Sequence, residues 1–345
     1  MVRTRIGWLV AVAALSLGVG ACKKKDEAKK TDQTGQTAPA GDKANPVTAT
    51  PSAVNVAAGD DLSLLPADSE MVMGLNVAQL QQSALWKQFG PKLMEKAAGS
   101  VAEFKAACGF DPFEAIKSVS FGMKNLDAQP EGSVVIHGLD KTKSMACMDK
   151  VKAEAAKKGT EVTVDGDVVT VKEQAGGTTV MSFVNNDTLL GVVGPNASKD
   201  TLLAAAKGGS TLKTSPTFVT YYSKINSKDS LWFLVNGNAP FMAKAASAGV
   251  GKMKAVYGSL NVTDGLTVDL RINFSSPEEA TQLVTLAKGQ TNNPQVKSMF
   301  DKLDVTADGA DAKFAVAMSN AKLQQLIGMV GGMMGGMMGG GMGGP

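Results

Sequence analysis

One histidine, three cysteines and 32 carboxylates hold most of the chemistry available to this chain, and their spacing restricts it severely. His137 stands alone in an alternating stretch, with no second imidazole and no close cysteine. It therefore lacks the three or four N/S partners of a zinc site, and without a G-x-S-x-G elbow it has no nucleophile to serve as a base. The carboxylate pairs Asp60/Asp61, Asp165/Asp167 and Glu278/Glu279 are the right type for acid–base work, but each has a simpler place, as linker, hairpin turn and helix N-terminus respectively. Asp165-Gly166-Asp167 also lacks the downstream ligands of a calcium loop. No glycine loop of the phosphate-cradling kinds occurs. These patterns predict a protein that is not an enzyme, with no catalytic residue, cofactor or metal site.

The cysteines carry a different message. Arg3 and Arg5 precede an apolar run from Ile6 to Leu17, and Val19-Gly20-Ala21-Cys22 closes it. This is the layout of an export signal, too short for the roughly 20 apolar residues that span a bilayer. Val19 to Cys22 resembles the lipobox of bacterial lipoproteins. The resemblance implies cleavage before Cys22, acylation of its thiol and a membrane partner reached through that acyl group. Lys23 in place of an aspartate after the cysteine resembles an outer-membrane sorting signal, so the expected location is the bacterial cell envelope, at the outer membrane. With Cys22 assigned to lipid, Cys108 and Cys147 remain as an even pair in an oxidising compartment, and a disulfide between them is expected. Their spacing is unlike a redox C-x-x-C motif.

Composition is consistent with a folded exported chain. A formal charge of +3 falls to +1 once Arg3 and Arg5 are removed, which excludes the strongly basic balance of a nucleic-acid binder. With 44% hydrophobic residues in 345 positions, sizeable cores are affordable.

These residues need elements to position them. Residues 22–60 are polar and Pro/Gly-rich, which predicts a disordered tether after a signal peptide over 1–21. Folded structure is expected from 61, as a duplicated unit over 61–210 and 211–328. Phe121 and Tyr257 lie 136 positions apart in similar strands, and Val134/Ile136 match Leu270/Ile272 at the same offset. Helices follow: Ser276, Pro277 and Glu279 form a capping box ended by Gly289, and Asp140 caps the earlier copy, whose stripe is Ser144, Cys147, Met148 and Val151. Asp165-Gly166 and Asp308-Gly309 predict hairpin turns. The expected fold is α+β, two tandem repeats of mainly antiparallel sheet covered by helices, each running β, α, β, β, α, β, β, α, with a junction within Thr211 to Ser227. The Leu65-Pro66-Ala67-Asp68-Ser69 segment and the repeat together look like uncharacterised exported lipoproteins with a duplicated α+β domain, a resemblance that implies no activity.

Residues 329–345 alternate glycines with methionines, a pattern that predicts a flexible tail and resembles the Gly-Gly-Met tails of chaperonins. Thioethers alone suit Cu(I), but without His or Cys beside them a passive tail is the better reading. The functional expectation is a lipid-anchored binding or scaffold protein whose partners are envelope proteins, or a carrier of a lipid or other apolar ligand.

Overall fold

The computed structural model describes residues 61–95, 97–173, 176–240, 242 and 252–327. The expected signal peptide, Cys22 with the expected tether, and the tail over 329–345 lie outside the described residues.

The first half begins with β1 (Met71–Asn76) and four helices, α1 (Val77–Gln82), α2 (Ala84–Met94), α3 (Ala98–Cys108) and α4 (Pro112–Ala115). Strands β2 (Ser118–Lys124) and β3 (Glu131–His137) follow, then α5 (Lys141–Ala146) and α6 (Met148–Lys157). Four strands, β4 (Glu161–Asp165), β5 (Val168–Lys172), β6 (Thr178–Phe183) and β7 (Thr188–Val193), and α7 (Lys199–Lys207) complete it. After α8 (Pro216–Tyr222), the second half contains β8 (Leu231–Asn236), β9 (Ala255–Asn261), β10 (Leu266–Asn273), α9 (Pro277–Thr291), α10 (Pro294–Ser298), β11 (Lys302–Asp308) and β12 (Asp311–Met318), with a helix over 320–327.

All twelve strands join one antiparallel sheet in the order β11-β12-β10-β9-β8-β1-β2-β3-β7-β6-β5-β4. The two halves meet where β1 pairs with β8, Met73 opposite Phe233, and so form a continuous sheet. The α+β class and antiparallel pairing are as the alternating patterns imply.

Two details depart from the sequence expectation. The first half places four strands after its helices where two were expected, so β7 rather than β5 lies beside β3. The offset of 136 is also only locally valid. Ile136 and Ile272 both join the same sheet face, but Phe121 packs on that face while Tyr257 points to the other. A register change of one residue exchanges the faces of a strand, and similar residue types conceal it.

Local chemistry otherwise sets the elements as expected. Ser276 and Glu279 form the reciprocal capping box, Asp140 accepts from Lys143 N at 2.8 Å, and Gly166 and Gly309 take φ of 60° and 59° at their turns. Gly289 does not stop its helix, which runs on to Thr291; the cost of about 1 kcal/mol for a helical glycine is too small to end a helix already packed on Ala280 and Val284. The expected stripe is buried, but the helix breaks at Cys147 into α5 and α6.

Each sheet face has its own cover. On one, α7, α8 and the 3-10 turns at Asp61–Ser63 and Leu212–Thr214 enclose a core drawn from both halves, including Val72, Val135, Leu190, Leu234 and Tyr257. On the other, α1 and α3–α6 cover the first half and α9 the second.

Candidate functional site

Packing leaves two candidate spaces, one within a core layer and one at the edge of the opposite face. The first lies under α3–α6, where α5 and α6 cross β3, β5, β6 and β7. Alternation along these strands aims Val134, Ile136, Val169, Met181 and Leu189 at the helices, and Phe104 and Met145 close the space from above. The hollow left between them has a volume of about 70 Å³. Its wall is almost wholly carbon and sulfur. Asp167, Thr179, Ser182 and Ser144 are the polar residues along it, and of these Ser144 in α5, 7% exposed, has a buried hydroxyl with no hydrogen-bond partner. An unpaired buried hydroxyl costs on the order of 1–3 kcal/mol, so the site keeps a polar group that packing alone does not require.

The roof is weakly held. Helix α3 has no buried residue, and it is held by the contact of Phe104 with Phe110, ring centroids 5.1 Å apart, by the exposed ion pair of Glu103 with Lys158 and the bond from Lys150 Nζ to Ala107 O at 3.2 Å, and by a covalent link. Cys108 at its end and Cys147 between α5 and α6 have Sγ atoms 2.06 Å and Cα atoms 5.0 Å apart, the geometry of a disulfide. The expected pair is therefore brought together, and it staples the roof helix to the wall that carries Ser144.

The second place is on the opposite face and contains His137. This histidine is the last residue of β3 and is half-buried. Its Nε2 is 2.7 Å from an Asp61 carboxylate oxygen and its Nδ1 is 3.0 Å from Thr188 Oγ1. The hydrogen bond to the Asp61 carboxylate raises the imidazole pKa above its ordinary value against the opposing effect of burial, with Asp187 adding in the same direction. Asp61, expected to belong to a linker, instead opens a 3-10 turn and anchors it to the sheet. The remaining carboxylate pairs serve structure: Asp165 and Asp167 meet Lys199 and Lys141 at 2.6 and 2.7 Å, and Glu279 closes the cap of α9.

The duplicate of His137 is Asn273, and its surroundings are closed. Asp311, 1% exposed, accepts from Lys224 Nζ at 2.6 Å, Tyr257 Oη at 2.8 Å and Asn273 Nδ2 at 2.7 Å. Burial works to raise the Asp311 carboxyl, but these three donors outweigh it and hold it below the usual carboxylate range. Burial and the Asp311 charge push the Tyr257 hydroxyl strongly upward, so it stays a donor.

Among the described residues no group of three His, Cys, Asp or Glu side chains is placed to hold a metal ion, and no helix is long and apolar enough to cross a membrane. Sequence reasoning named Ser144 only as a stripe residue and Asp61 only as a linker carboxylate, and it did not find the lining of either site. Ser118 and Ser120 are the one available signal, two small polar residues on the same face of a strand otherwise buried.

No protein family and no curated protein matches this chain. Among solved structures, crystal form III of TP0453 is similar over 77% of this chain and 96% of its own, with a TM-score of 0.50 at 10% identity. Crystal form I of TP0453 is similar over 79% and 97%, with a TM-score of 0.49 at 11% identity. At such identity the likeness to form III shows the fold alone.

Proposed function

We propose that this is a lipid-anchored protein of the bacterial cell envelope, tethered to the outer membrane through acylated Cys22, that binds an apolar ligand in the hollow beneath α3. The supporting observation is the hollow itself: carbon and sulfur walls with one unpaired hydroxyl, Ser144, able to orient a polar atom of the ligand. At about 70 Å³ the hollow accepts a short stretch of hydrocarbon, well below the roughly 150 Å³ of an apolar cavity that admits benzene. A longer chain requires α3 to lift, which its lack of buried residues permits. Each methylene taken in contributes about 0.8 kcal/mol, and Met145, Met148 and Met181 adapt to it because thioether side chains change shape at little cost.

The test is native mass spectrometry of protein gently extracted from its membrane, paired with titration of a fluorescent fatty acid. Leu189→Trp, which fills the hollow, should weaken binding at least tenfold while Val219→Trp on the surface leaves it unchanged. Repeated absence of co-purified apolar ligand, with equal affinity in the two variants, refutes the reading. Labelled palmitate tests the anchor separately, since incorporation should vanish in Cys22→Ala.

A further inference from the structure

The second place described above is a cleft of about 720 Å³, ten times the space beneath α3 and on the other side of the sheet. Register explains its polarity. Thr188, His137, Ser118 and Asn76 stand opposite one another in a row across β7, β3, β2 and β1, and Ser120, Gly74 and Trp232 form the adjoining row. Further along the same face the strands turn apolar, with Val72, Val135, Leu190 and Leu234 wholly buried. A polar strip thus lies at the uncovered end of an otherwise closed face.

The floor holds donors that the protein leaves unused. Ser120 is 5% exposed, neither its hydroxyl nor that of Ser118 forms a hydrogen bond among the described residues, and neither oxygen is sealed off from solvent, so both open into the cleft that they line. Gly74 is required here: a Cβ on it would sit 2.1 Å from Trp232 Nε1, so glycine lets the indole lie across β1 and form the side of the cleft, with Tyr222 edge-on to it at 5.1 Å.

The walls bring charge. Lys117 on one side and Lys228 on the other line the cleft, and neither ammonium is ion-paired among the described residues. The one lining carboxylate, Asp61, is already engaged by His137. Among the described residues two lysines without an ion pair and two serine hydroxyls without a hydrogen bond therefore line one cleft, whose single carboxylate is already compensated. The second half displays the closed alternative, since at the place of His137 and Thr188 it has Asn273 and Asp311, with Lys224 seated on them.

We infer that this cleft is a binding site for an oxyanion, a phosphate or carboxylate group, with Ser118 and Ser120 donating from the floor and Lys117 and Lys228 from the walls. Such donors match a tetrahedral or planar anion through charge-assisted hydrogen bonds. This inference is independent of the apolar hollow, and failure of either leaves the other standing.

The single histidine supplies the reporter, because the His137 imidazole gives one resonance in the full mature chain labelled at histidine. Inorganic phosphate titrated at constant ionic strength should shift that resonance with saturation. In Lys117→Gln/Lys228→Gln, whose side chains are exposed and not needed for folding, affinity should fall at least tenfold, and in Ser120→Ala it should fall several-fold. A second arm uses vesicles of phosphatidylglycerol against phosphatidylcholine: a shift with phosphatidylglycerol beyond that with phosphatidylcholine, lost in the double lysine variant, assigns the anion to a lipid head group, whereas a shift with phosphate alone assigns a soluble ligand. No shift with phosphate, acetate or phosphatidylglycerol beyond the chloride control overturns the inference, as does a saturable shift that both variants retain at full affinity.

Discussion

Removing the link between Cys108 and Cys147 isolates what a covalent staple contributes to a helix that packing barely retains. The bridged residues are 39 positions apart, and the chain-entropy relation for a loop of that length gives about 3.9 kcal/mol at 25 °C. Little is added by lost packing, because α3 buries no residue of its own and the Cys147 sulfur is small. With an urea dependence of about 3 kcal/mol/M for a chain of this size, the midpoint of unfolding in Cys108→Ala/Cys147→Ala should move down by about 1.3 M. The loss has a location as well as a size. Amide exchange over 98–108 should rise to nearly the unfolded rate in the double variant, while β2, β3 and β7, in the centre of the sheet, keep their protection. Circular dichroism in urea and hydrogen exchange by mass spectrometry measure the two quantities on one preparation. A midpoint within about 0.3 M of the parent, with 98–108 still protected, would show that Phe104 and its neighbours hold the roof unaided, and the reasoning would fail.

Four further outcomes follow from the polar centres and the sheet. Asp311→Ala should destabilise by about 3 kcal/mol, at the low end for a broken buried pair because the Lys224 side chain is 40% exposed; urea unfolding measures it. Since the Asp311 carboxyl is held below its unfolded value, its contribution is fully present above about pH 4 and disappears as pH falls through the folded value, so the parent should lose more stability on acidification than Asp311→Asn. Asp61→Asn should return the His137 titration, followed by NMR, toward its ordinary value. The sign is opposite here: the raised imidazole pKa stabilises below about pH 6.5, and that contribution is lost as pH rises through the folded value. Gly74→Ala should cost about 1–3 kcal/mol by forcing the Trp232 indole off β1, with a change in tryptophan fluorescence before any unfolding.

Much of the scaffold was legible because it depends on local rules. Ser276 with Glu279, Asp140, and the Asp-Gly turns at 165 and 308 each specify backbone geometry within four residues, and period-2 alternation identifies strands whatever they pair with. Which face a strand presents was less legible. Phe121 and Tyr257 are alike in type, but a one-position change in register between β2 and β9 sends them to opposite layers, and only the pairing partners determine that. The added hairpin of the first half was hidden because Val162–Asp167 satisfied the expected hairpin before β6 and β7 were reached. Neither site was readable as such. Asp61 and His137 are 76 positions apart, the Ser144 hydroxyl becomes informative only when its missing partner is known, and Ser118, Gly74 and Trp232 meet solely through the pairing of β1 with both β2 and β8.

An open row of twelve strands has two unpaired ends, β4 and β11, and unpaired backbone at a sheet's rim is a template for adding another molecule. Here both rims are charged: Glu161 and Asp165 project from one, beside Lys172 and Lys199, and Lys302, Asp304 and Asp308 from the other, all exposed. Zipping one molecule onto the next would strip hydration from these charges and crowd their ion pairs. That cost keeps a long sheet from growing into a fibre.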